Sequence, residues 1–337
     1  MDIQDLAARI AAGERRALAR GITLVESARA DHRAQADAVL GALPGDRQAL
    51  RIGLSGTPGV GKSTFIEAFG MMLVGLGLRV AVLAVDPSSA RSGGSILGDK
   101  TRMDRLSREP AAFIRPSPSQ THLGGVARRT REAVALCEGA GFDVVLIETV
   151  GVGQSETVVA QMADLFLLLL APAGGDELQG VKRGIMEMAD MILVNKADGD
   201  LKPAATRTCA DYAGALRLLR KRPQDPEGYP RAMMVSAMAE HGLETAWADM
   251  QALAGWRRDH GFFDGTRADQ ARYWFEQDVR AGLLAQLDTA AARARMATLG
   301  AEVARGALRP GDAAARMLEA LGAEFGAARV DPAPDSP

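Results

Sequence analysis

Cysteine is scarce in this chain: Cys137 and Cys209 stand far apart, with no Cys-x-x-Cys partner. That count excludes a disulfide framework and a zinc ribbon. Aromatic residues are 4% of the 337 positions, too few for a stacking platform on single-stranded nucleic acid. Lys and Arg (40) nearly balance Asp and Glu (42), so the formal net charge of −2 leaves no basic footprint for nucleic-acid binding. Long apolar runs are also missing. A bilayer span needs roughly 18 uninterrupted apolar residues, and the longest run here, Leu165 to Ala173, is about half that. The N-terminus carries Asp2 and Asp5 and no apolar stretch, which argues against a secretory signal. Together these absences predict a cytoplasmic protein with neither a nucleic-acid nor a membrane partner. His32, His122, His241 and His260 form no group with metal-ligand spacing.

What is present is a hydrophobic class of 47%, ample for a core. At roughly 150 residues per domain the length predicts two domains, or one large α/β domain with additions. Residues 1–45 read as an N-terminal helical region, with Leu6, Ile10, Leu18, Ile22 and Val25 at helical spacing. Residues 46–255 alternate apolar runs with Gly-rich turns and amphipathic stretches, the mark of βαβ units. Residues 256–325 read as helix again, and 326–337 as a flexible, proline-bearing tail. Strands are predicted at Leu50–Ser55, Val80–Val85, Ala112–Arg115, Val144–Glu148, Leu165–Leu170, Met191–Asn195 and Ala232–Ser236. Several are apolar on both faces, as a buried, mostly parallel sheet flanked by helices requires.

The strongest local signal is Gly56-Thr57-Pro58-Gly59-Val60-Gly61-Lys62-Ser63-Thr64, which fits G-x-x-x-x-G-K-[ST] at every position. A strand precedes it and a helical pattern follows, so the fold class is an α/β P-loop NTPase. Glycines let the backbone wrap phosphate oxygens, and the helix N-terminus adds positive potential. Lys62 is placed for the β- and γ-phosphates, and the Ser63 hydroxyl for Mg²⁺.

Two further segments point to guanine. Asn195-Lys196-Ala197-Asp198 follows an apolar strand and matches the N-x-x-D-type base loop of GTPases, N-K-x-D. The Asp198 carboxylate can accept from N1–H and N2–H of guanine, a donor pair that adenine lacks. Asn195 and the Lys196 stem are expected to brace the loop and cover the base. Val235-Ser236-Ala237-Met238 resembles the second base loop, where a backbone N–H meets guanine O6.

The hydrolytic apparatus is read from strand ends. Glu148 stands where the D-x-x-G switch usually has Asp, with Gly151 free to turn toward a γ-phosphate. Glu148 is expected in the water shell of Mg²⁺ or ordering the attacking water. Asp86 ends another strand, and the polar, glycine-rich stretch from Ala90 to Met103 suits an order–disorder switch. Asp86 and Asp99 are the other candidates for metal coordination and water positioning. No Gln follows Gly151 directly and no arginine finger is evident in cis, so hydrolysis is expected to be slow alone and open to partner stimulation.

Longer blocks carry a family resemblance: Val85 to Ser89, Gly93 to Met103, Phe113 to Ser119, Ile147 to Glu156 and Gly175 to Asp190. In this order they resemble the MeaB/ArgK/MMAA family of P-loop GTPases, which serve adenosylcobalamin-dependent acyl-CoA mutases such as methylmalonyl-CoA mutase. The resemblance implies a G-protein chaperone that uses GTP and GDP to gate cofactor loading and to protect or reactivate the mutase. It implies a mobile, partner-sensing loop at Gly174–Met188, with Lys182 supporting stimulated hydrolysis, and a homodimer held by helices within 256–325. A cobalamin adenosyltransferase would be a second partner. No D-x-H-x-x-G is present, so adenosylcobalamin would stay on partner proteins. Alternatives are a GTP-dependent protein kinase of the ArgK transport type, for which no acceptor site is seen, and a nickel-insertion GTPase, for which no His-rich tract is seen. A scaffold with a dead nucleotide site conflicts with intact Lys62, Ser63 and Asp198.

Overall fold

The computed structural model describes residues 2–27, 29–85, 103–115, 123–149, 155–172 and 183–327. Contacts divide the chain into two compact units, Met1–Ala271 and Arg272–Pro337.

The first unit is built on seven strands: β1 (Leu50–Ser55), β2 (Val80–Val85), β3 (Ala112–Arg115), β4 (Val144–Thr149), β5 (Leu165–Leu170), β6 (Met191–Val194) and β7 (Arg231–Met234). Their order is β3-β2-β4-β1-β5-β6-β7, and every pairing is parallel. The chain steps outward from β1 to β2 and β3, returns to insert β4 beside β1, then crosses over to lay down β5, β6 and β7. In open α/β sheets the crevice beyond the carboxyl ends at such a reversal is where ligands bind. Here it lies beyond β1 and β4.

Burial on both faces explains the strand composition: every residue of β4, β5 and β6 is buried. One face packs on helices α4 (Lys62–Gly75) and α5 (Asp104–Arg108), and on α10 (Leu243–Asp259). Phe65 and Phe69 stack there with ring centres 5.3 Å apart, and Trp247 meets Phe69 edge-on. Helices α6 (Leu123–Gly139) and α7 (Ser155–Ala160), which touch each other, cover the opposite face. Helices α1 (Ile3–Ala11), α2 (Arg15–Glu26) and α3 (Ala30–Gly41) pack outside α6 within the same unit. The described residues of this region also include helices α8 (Arg183–Met188) and α9 (Lys202–Arg217).

Strands β6 and β7 end before the expected Asn195 and Ser236. Ladder hydrogen bonds do reach one residue further, from Asn195 N to Leu170 O (2.8 Å) and from Val235 N to Val194 O (2.9 Å). Beyond them Lys196 turns to φ +56° and Ser236 closes a turn with His241, which frees both segments to leave the sheet.

The amino ends of the central strands are held by a buried ionic network. Arg257 donates to Asp190, Asp225 and the Asp164 carbonyl at 2.6, 2.6 and 2.9 Å. Asp164 also takes Arg267 and the Arg51 N–H, and Asp190 takes the Phe166 N–H. The carboxylates thus cap strand starts while the arginines offset their charge.

The unit boundary falls inside α11 (Phe262–Gln286). The second unit continues with α12 (Ala290–Ala304) and α13 (Pro310–Ala327), which pack on each other, burying Ala292, Ala313 and Met317. Thr289 caps α12 by accepting from Ala292 N at 3.2 Å.

Candidate nucleotide site

The loop from Gly56 to Gly61 joins β1 to α4. Two glycines are sterically required. A Cβ on Gly56 would stand 2.4 Å from the Leu169 carbonyl oxygen. Gly61, at φ +90°, is the N-cap of α4, and a Cβ there would stand 2.8 Å from Asn195 Nδ2. The helix therefore begins abruptly at Lys62, and its first-turn N–H groups, those of Ser63 and Thr64 included, have no intrahelical acceptors. That is an anion-binding end.

Lys62 projects from this first turn, and its Nζ donates to the Gly56 carbonyl at 2.7 Å. Burial lowers the Lys62 pKa from the ordinary lysine range; the Glu148 and Glu156 carboxylates oppose that shift. Glu148 is buried on β4, in register with Leu54 of β1. The neighbouring Thr149 hydroxyl bonds to the Ser55 hydroxyl at 3.2 Å, joining the two strand ends.

The expected base loop folds directly onto the phosphate loop. Asn195 is buried; its Nδ2 donates to Val60 O at 2.9 Å and its Oδ1 accepts from Ala237 N at 3.0 Å. Lys196, in the left-handed region, sends Nζ to Gly59 O at 2.7 Å. Half-buried Asp198 accepts from Ser236 Oγ at 2.5 Å, and Ser236 Oγ accepts from Ala239 N at 3.1 Å. The Met238 side chain is exposed. One cluster thus gathers Gly56 to Thr64, Glu148, Asn195, Lys196, Asp198, Ser236 and Ala237, although these positions span most of the first unit. Asp86, Asp99, Gly151 and Lys182 lie outside the described residues.

Sequence reasoning missed two partners. Glu156 acts on Lys62 from α7, and only its place after the Gly-rich segment hinted at it. The Ala237 N–H is spent on Asn195 rather than facing outward, a pairing without a sequence signal. Among the described residues, no three His, Cys, Asp or Glu side chains gather as a metal cage. Among the described residues, the Ser63 hydroxyl on the loop and the Glu148 carboxylate near Lys62 are hard oxygen donors, a chemistry that fits Mg²⁺ held partly by phosphate and water.

The sequence pattern of the family described as "Methylmalonyl Co-A mutase-associated GTPase MeaB" matches residues 18–292. The chain belongs to this family. A putative GTPase of Caulobacter vibrioides is 53% identical over 325 residues, covering 96% of this chain and 98% of that protein. The mouse "Methylmalonic aciduria type A homolog, mitochondrial" is 47% identical, over 92% of this chain and 77% of its own length. Among solved structures, a "LAO/AO transport system kinase" superposes with a TM-score of 0.72 at 35% identity, covering 95% of this chain and 97% of that one. The MeaB-family chain is therefore a P-loop GTPase and a binder of guanine nucleotide. No described helix is long and apolar enough to cross a membrane.

Proposed function

We propose that this GTPase is a nucleotide-gated chaperone of an adenosylcobalamin-dependent acyl-CoA mutase of the methylmalonyl-CoA mutase type. The observation that carries the nucleotide half is the brace between loops: Asn195 and Lys196 hold the Val60 and Gly59 carbonyls. Base and phosphate subsites are thereby set in one rigid frame.

In this reading Lys62 leaves the Gly56 carbonyl to neutralise the β- and γ-phosphates, helped by the N–H groups of Gly59 to Thr64. Asp198, oriented by Ser236, accepts from the guanine N1–H and N2–H. With the Ala237 N–H taken by Asn195, the next donor of the turn, the Met238 N–H, is the one we assign to O6. Ser63 and Glu148 would hold Mg²⁺, with Asp86 and Asp99 as further ligands, and the ion would neutralise charge on the phosphates. Glu148 and Glu156 sustain the charge of Lys62 where burial would lower it. Nothing in this set forms a covalent bond to the substrate; it works by positioning and charge.

The mutase half rests on family membership, and the Lys182 role with it. Adenosylcobalamin would remain on the mutase and on a cobalamin adenosyltransferase. A homodimer through residues 256–325 is supported by Phe275, Val279 and Leu283, an exposed apolar stripe at four-residue spacing on α11. Residues 46–255 would then form the GTPase core and 1–45 a helical flank to it.

Adding a cobalamin-dependent acyl-CoA mutase should raise the rate of GTP hydrolysis at least tenfold. No acceleration by methylmalonyl-, ethylmalonyl- or isobutyryl-CoA mutase would remove the chaperone reading. With γ-labelled GTP, free phosphate and no label on protein are expected; labelled protein would favour a kinase.

A further inference from the structure

The turn that follows the second base loop is tied to the phosphate helix by a residue outside every motif considered so far. Ser236 and His241 exchange two backbone hydrogen bonds, 2.9 and 3.0 Å, which close the turn. Inside it Glu240 adopts φ +52°, a left-handed conformation uncommon for a residue with a Cβ. The Glu240 carboxylate accepts from Arg105 Nη1 at 2.8 Å. Arg105 stands on a firm base. Its own backbone N–H, in the first turn of α5, donates to Glu67 Oε1 of α4 at 2.7 Å. One residue on, buried Leu106 fills the notch left by Gly70 of α4, where a Cβ would lie 2.6 Å from its Cδ2.

The structure thus carries a chain from α4 through Glu67, Arg105 and Glu240 to the Met238 turn. We propose that Arg105 is a positioning residue for guanine recognition: by holding Glu240 it sets the Ser236–His241 turn so that its backbone donor meets position 6 of the base. This rests on the nucleotide reading above and adds a residue to it. The Arg105–Glu240 pair is exposed, with side-chain exposures of 58% and 52%, so its effect belongs to the small class typical of surface ion pairs. Its consequence is selective, because it acts on one edge of the base and not on the phosphates.

The test uses calorimetric titration of the full chain with GDP and with 6-thio-GDP. The thio analogue keeps the edge read by Asp198 and weakens the acceptor at position 6. Arg105→Met should weaken GDP binding about threefold, the scale of an exposed ion pair, and weaken the thio analogue less, compressing the preference for oxygen. Glu240→Gln should do the same, and the double variant should add nothing further. An unchanged preference in Arg105→Met, or an equal loss for both ligands, would overturn the role of Arg105. Failure of the unsubstituted protein to bind GDP would instead overturn the nucleotide site itself, and this role with it.

Discussion

Replacing Asn195 by Ala tests the brace on which the site depends. The change deletes two hydrogen bonds at once, Nδ2 to Val60 O and Ala237 N to Oδ1, both in buried surroundings. Each backbone group left without a partner costs about 1–3 kcal/mol. Water entering the vacated space recovers part of this, so the sum is about 2–4 kcal/mol of stability. GDP affinity should fall with it, because the two loops lose their fixed spacing. Urea unfolding without nucleotide should show a lower midpoint at unchanged slope, and calorimetry should show GDP binding weakened more than tenfold. Asn195→Asp sharpens the test. It keeps an acceptor for Ala237 N but sets an oxygen against Val60 O, so it should rescue neither quantity. A stability change under about 0.5 kcal/mol in Asn195→Ala, the size of an ordinary surface substitution, would refute the reasoning.

Three other outcomes follow from named contacts. Asp198→Asn should exchange guanine for xanthine preference, measured by competition between GDP and XDP; retained guanine selectivity would discredit the base loop. Lys62 has a pKa lowered chiefly by burial. The unfolded chain then binds more protons, so stability rises as pH climbs through the folded value. Phosphates would reverse the shift, so GDP binding at about pH 9, just under the ordinary lysine range, should take up protons, read by calorimetry in buffers of different ionisation enthalpy. Proton release there would contradict the placement of Lys62. At the amino ends of the strands, Arg257→Ala would leave Asp190 and Asp225 to share Arg222 alone and should cost about 1–3 kcal/mol in urea unfolding without touching the nucleotide loops.

The sheet was legible because its strands are buried on both faces. A run such as Leu165 to Leu170 is far too short to cross a bilayer as a helix and suits a strand buried on both faces. All seven strands appear within two residues of their expected bounds, and the parallelism is complete where a mostly parallel sheet was expected. The phosphate loop was legible because its chemistry needs consecutive residues. Contacts between distant residues were not. Asp164, Asp190, Asp225, Arg257 and Arg267 lie far apart in the sequence and form no motif, yet they pair in the interior. Arg105 gave no signal either, since its meaning comes from Glu67 and Glu240, which only the fold brings to it. The early ends of β6 and β7 have the same origin: past the last ladder bonds, made by the N–H groups of Asn195 and Val235, the Asn195 and Ser236 side chains take partners elsewhere.

The central claim is that guanine nucleotide binds with its phosphates on the turn before α4. Calorimetric titration of the Mg²⁺-loaded chain with GDP addresses it most directly, beside the Lys62→Ala variant. Tight one-to-one binding that disappears in the variant is the predicted result. No heat from the unsubstituted chain, or affinity unchanged in Lys62→Ala, would contradict it.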